Sequence, residues 1–125
     1  LLGVNVKVKR EDHHLFHDRI SWESRDTAKL IRRNRGLIVP LEHDTHKELH
    51  IATPVVPLLG YFALYRVARD FQGEPRNYLG NIEEVQRAIE EAGKSPKAHY
   101  VERQVGELAI HVLELQKPFI KEDYQ

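Results

Sequence analysis

The chain predicts an α+β fold, predominantly helical, in which a small β element and a histidine-bearing helix pack on a three-helix bundle. Three observations carry that prediction. From residue 54 onward, apolar side chains recur at spacings of three and four in three successive stretches, the period of helices that bury one face. Before residue 54 the patterned stretches are shorter and mixed, with alternating valines near the start and Leu37-Ile38-Val39 further on. Six of the eight histidines, His13, His14, His17, His43, His46 and His50, lie in that first part.

Val4, Val6 and Val8 alternate with Asn5, Lys7 and Lys9, which suits a half-exposed strand leading into Glu11-Asp12-His13-His14-Leu15-Phe16-His17. Ser24 or Asp26 can cap a helix over Arg25 to Arg33, and Asn34-Arg35-Gly36 ends it. Leu37-Ile38-Val39 then reads as a short buried strand interrupted at Pro40. Asp44 or Thr45 starts a helix that carries His46 and His50 and stops before Pro54.

The bundle follows. Leu58, Tyr61, Phe62, Leu64, Tyr65, Ala68 and Phe71 form a broad apolar face on a helix from Pro57 to Phe71, left through Gln72-Gly73-Glu74-Pro75. Asn81 is expected to cap a second helix with Ile82, Val85, Ala88 and Ile89 on one side, ended by Gly93 and Pro96. From about His99 to Gln116, Val101, Val105, Leu108, Ala109, Val112 and Leu115 mark a third stripe, and Pro118 is expected to close it.

With 125 residues and 41% hydrophobic content, the chain is expected to form one domain over 1–125, with 1–53 as the mixed segment and 54–125 as the helical portion. At this size folding buries roughly two-thirds of the unfolded surface, so the core needs no staple. The chain has no cysteine, which excludes disulfides, thiolate zinc sites and cysteine nucleophiles. No apolar run reaches the roughly 18 to 20 residues that span a bilayer, so no membrane partner is expected. The first residues do not form a signal peptide, and a cytoplasmic location is the expectation. The missing initiator Met suggests a natural start further upstream. Nineteen Lys and Arg balance nineteen Asp and Glu, which argues against holding nucleic acid by bulk charge alone and leaves room for a local patch.

The candidate chemistry lies in two histidine groups. His43, His46 and His50 are spaced by three and four, so on a helix they fall within about 60° of arc. His46 and His50, at i and i+4, can grip one divalent ion. The zinc-protease helix needs Glu directly after its first His, whereas Glu48 lies two positions after His46 and is rotated about 200° from it, which excludes a metalloprotease. His13 and His14, adjacent on an extended segment, point to opposite sides of the backbone and so serve different roles, one as ligand and the other as base.

These residues resemble the HNH or His-Me finger nucleases, which carry a ββα-metal site. That family pairs an Asp/His-His dipeptide with a later Asn-Leu-x-Pro-Leu-Cys-x-x-Cys-His-x-x-x-His. Asp12-His13-His14-Leu15 is similar to the first element, and Ile38 to His50 is similar to the second, in register from Leu-x-Pro-Leu through both histidines. The resemblance implies a metal-dependent endonuclease with His14 as general base, and with His13, His46 and His50 holding a divalent Zn, Ni, Mn or Mg ion. Glu42 and Thr45 stand where the family often has zinc cysteines, and the family's Asn falls at Leu37, with Asn34 the nearest candidate for that catalytic role.

Arg25, Lys29, Arg32 and Arg33 share one helical face that could hold nucleic-acid phosphates, with Lys29, Arg32 and Arg33 as its centre, although a solvated helix surface reads the same way. Trp22, Tyr61, Phe62, Tyr65 and Phe71 suit core packing better than base stacking, and His17, His99 and His111 have no convergent partners. Two function classes follow from the sequence. One is a small HNH-like endonuclease; the other is a non-catalytic interaction or regulatory protein with a protein partner, phage-like in its compactness, that keeps a degenerate HNH-like fold.

Overall fold

Two short strands pair antiparallel at the start of the folded core: β1 (Arg10–His14) and β2 (Ile38–Glu42), with His13 opposite Val39 and His14 opposite Ile38. The computed structural model describes residues 9–16, 29, 32–53, 77–96 and 100–124. Three α-helices are bounded within the described residues: α1 (His43–Ala52), α2 (Tyr78–Gly93) and α3 (Tyr100–Asp123). The mixed, mainly helical class expected from the periodicity is the class observed. The valine strand over residues 4–8, the segment around Trp22, His17, His99 and the expected helix from Pro57 to Phe71 lie outside the described residues.

A tight turn leads into the strand pair at its His14–Ile38 end. A 3-10 turn over Arg35–Leu37 precedes β2, and the Asn34 side chain caps it by accepting from Gly36 N at 2.9 Å. Leu15 N donates to Leu37 O at 3.0 Å and extends the pairing past His14. Pro40 does not interrupt β2 as expected. It lies opposite Asp12 in a two-stranded sheet, where both strands are edges and a missing N–H costs little.

β2 passes directly into α1, because Glu42 is at once the last strand residue and the residue preceding the first helical turn. Asp44 lies in that first turn, where a carboxylate interacts favourably with the helix dipole. Leu49 is the buried anchor of α1, and Thr53 ends the helix with its hydroxyl donating to Leu49 O at 2.6 Å. The absence of an intervening loop folds α1 back over β1 and against α3.

α2 begins one turn earlier than the sequence predicts. Asn77, not Asn81, is its cap, accepting from Gly80 N, and Asn81 lies inside the helix. Tyr78 and Leu79, four and three residues before Ile82, continue the stripe and pack against the core, so the helix starts at the earlier asparagine. α3 likewise runs through Pro118 to Asp123. The missing proline N–H is offset beyond it by Ile120, which is fully buried, and Phe119, which packs against the core. The buried row on α3 is Gly106, Ala109, Leu113, Gln116 and Ile120. Leu108 and Leu115, expected inside, are 36% and 37% exposed.

The core joins the strand pair to the helices: Leu15, Phe16, Leu37, Val39, Leu41 and Leu49 meet Ile82, Val85, Ile89, Ala109, Leu113 and Ile120. The chain end closes on the strands. Tyr124 donates its hydroxyl to Pro40 O, the Arg10 guanidinium stacks 4.4 Å from the Tyr124 ring centroid, and Asp123 pairs with Arg10. Among the described residues no helix is long and apolar enough to cross a membrane.

Candidate metal centre

Strand alternation decides which side chains of β1 meet α1. Glu11 and His13 face the helix, half-buried and buried, while Asp12 and His14 project from the other side. On α1, His46 and His50 are one turn apart and stand over His13. The ring centroids are 5.0 Å apart for His13 and His46, 5.2 Å for His13 and His50, and 4.6 Å for His46 and His50. One ring nitrogen from each lies within 4.8 Å of the others, so the three histidines expected from the sequence come together in a group that could hold a metal ion.

The group is graded from interior to solvent: His13 is buried, His46 half-buried and His50 exposed. Burial first, and then the neighbouring His46, His50 and His14, bring His13 down to about 4, against the opposing effect of its hydrogen bond to Gln116 Oε1. At neutral pH this imidazole is therefore uncharged, which is the form that binds metal. Its Nδ1 is buried without a hydrogen-bond partner, an exception in a folded interior that a bound ion would remove. The donor set fits a divalent ion of the zinc or nickel kind, since imidazole nitrogens suit these better than the oxygen-seeking magnesium.

Two further residues complete the arrangement, neither of which the histidine spacing identifies. Glu11 lies 3.1 Å from His46 Nδ1, and also 3.1 and 3.2 Å from His43 Nδ1. Its hydrogen bonds with His46 and then His43 hold its carboxyl below the usual glutamate range. Gln116, buried on α3, places its Oε1 2.6 Å from His13 Nε2. Strand parity could have drawn attention to Glu11, two residues before His13; Gln116 is visible only as the polar break in the buried row of α3.

The other expected site residues lie elsewhere. His14 is half-buried on the opposite side of β1 from the three-histidine group. The Asn34 Oδ1 is engaged with Gly36 N in the turn before β2. His43 is exposed at the start of α1 and shares Glu11 with His46. Lys29, Arg32 and Arg33 are helical and exposed, ahead of Asn34. His111 is exposed on α3. Comparison of the chain with protein-family models, with curated proteins and with solved structures gives no match.

Proposed function

We propose that this chain binds one divalent metal ion through His13, His46 and His50 and uses it for HNH-like hydrolysis of phosphodiester bonds. The observation that carries the reading is the ββα placement: two antiparallel strands running straight into a helix whose i, i+4 histidines stand over a strand histidine. A divalent ion bound there supplies Lewis-acid stabilisation of the phosphoryl and leaving oxygens. His13 is held neutral by burial, and His50 keeps one side of the group open to solvent and to a substrate. In this reading His14 takes the proton from the attacking water, Asn34 orients that base, and the exposed Lys29, Arg32 and Arg33 hold phosphates of DNA or RNA.

Two observations favour a second reading, a non-catalytic interaction or regulatory protein that keeps the metal. His14 projects from the side of β1 away from the three histidines, and Asn34 Oδ1 caps a turn. Nicking of supercoiled plasmid and cleavage of labelled RNA with Mg²⁺, Mn²⁺, Ni²⁺ or Zn²⁺ separate the two. Cleavage is expected in wild type, lost in His14→Ala with metal binding kept, and lost together with metal binding in His46→Ala/His50→Ala. Metal binding without cleavage of either substrate would leave the second reading standing.

A further inference from the structure

The three histidines do not offer equivalent nitrogens, and the reason lies in what holds the far side of each ring. Gln116 Nε2 donates to Leu15 O at 3.0 Å, which fixes the orientation of its amide. Gln116 Oε1 then faces His13 Nε2 at 2.6 Å, and an amide oxygen can only accept. His13 therefore carries its proton on Nε2, and its lone pair is on the buried, unpartnered Nδ1. At His46 the logic is the same with the nitrogens exchanged. An ionised carboxylate accepts only, so Glu11 requires the proton of His46 on Nδ1, leaving the lone pair on Nε2. That Nε2 lies 2.9 Å from His50 Nε2.

From this we infer that the ion is ligated by Nδ1 of His13 and by Nε2 of His46 and His50, with Glu11 and Gln116 as the positioning residues that select those atoms. The inference rests on the metal site proposed above and adds which nitrogens bind and what selects them. Each positioning residue comes from a different element: Glu11 is on β1 with His13, and Gln116 reaches the site from α3, 103 residues along the chain. A second partner on the far nitrogen orients the ring before the ion arrives and raises the basicity of the ligating nitrogen. In the metal-free protein His50 Nε2–H donates to the His46 Nε2 lone pair, so ligation through His50 Nε2 requires its proton to move to Nδ1 when the ion binds. Zinc to nitrogen bonds of about 2.0 to 2.1 Å in a tetrahedron set neighbouring nitrogens about 3.3 Å apart, so the pair opens by a few tenths of an ångström.

Long-range ¹H–¹⁵N correlation spectra of the uniformly labelled protein test this without any activity assay. In metal-free wild type, His13 should be the Nε2–H tautomer and His46 the Nδ1–H tautomer. On adding one equivalent of Zn²⁺, the coordination shift should appear at Nδ1 of His13 and at Nε2 of His46 and His50. Glu11→Ala should release His46 into a mixture of tautomers and weaken Zn²⁺ binding roughly 10- to 100-fold, with Glu11→Gln in between because its amide oxygen still accepts. Gln116→Leu should do the same to the tautomer of His13. Because the first two measurements use wild type, a variant that fails to fold does not obscure the result. Zinc shifts at Nε2 of His13, or an Nε2–H tautomer of His46 in the metal-free protein, would overturn the assignment while leaving metal binding intact. The absence of a shift at all three rings would overturn the metal site and the assignment with it.

Discussion

Burial of an uncharged imidazole at His13 has a thermodynamic consequence that can be read without any ion. In the metal-free protein its ionisation is depressed from the ordinary 6.5 to about 4. For a group depressed on folding, the stabilising difference is fully present above the unfolded value and lost as pH falls toward the folded one. The window therefore runs from about 6.5 down to about 4, and the loss across it is on the order of 3 kcal/mol. Urea unfolding with a chelator present should show wild type losing stability over that window more steeply than His13→Gln, whose side chain does not titrate. Parallel curves would show that His13 titrates normally in the fold. At this scale His46 and His50 were legible from their i, i+4 spacing, and His13 from the likeness of the His13-His14 pair to the first nuclease element. Glu11 and Gln116 were not, since their roles arise from partners 35 and 103 residues away.

Periodicity located α2 and α3 and misplaced their ends, for one reason in α2 and another in α3. The turn before Ile82 has its own cap in Asn77 and carries Tyr78 and Leu79, which also pack against the core, so the stripe extends one turn further back than Ile82. In α3, Pro118 is exposed while Phe119 and Ile120 pack against the core beyond it, and tertiary packing outweighs the local breaker. The energetic expectation for α3 follows from its observed face. Leu113→Ala should cost about 2 to 5 kcal/mol in urea unfolding, while Leu108→Ala, on the exposed side, should cost less than half as much. Pro118→Ala should leave stability unchanged or raise it by about 1 kcal/mol or more, since alanine restores the missing N–H without touching the buried row. Equal losses at Leu108 and Leu113 would mean that α3 is rotated from the orientation described.

Across the whole molecule, the three histidines and their supports tie together parts of the chain that are far apart in sequence. His13 comes from β1, His46 and His50 from α1, and Gln116 from α3, while Asp123 and Tyr124 at the end of the chain close onto Arg10 and Pro40 of the strand pair. The spacing of His46 and His50 could be read in the sequence; the closure of α3 onto the strands could not, because it depends on the register of a helix that continues past a proline. An ion held by residues from separate elements binds only when those elements are docked, so its binding free energy adds to the stability of the fold. With free Zn²⁺ at a hundred times its dissociation constant, that gain is about 2.7 kcal/mol. For a chain of 125 residues this corresponds to a rise in Tm on the order of 10 °C. The rise should grow with the logarithm of free zinc above the dissociation constant, vanish in His46→Ala/His50→Ala, and persist in His111→Ala, whose ring is exposed on α3 away from the group. Calorimetry across a zinc titration measures all three. A Tm that stays flat in wild type, or that climbs equally in the double variant, would mean that zinc does not bind where the fold brings His13, His46 and His50 together.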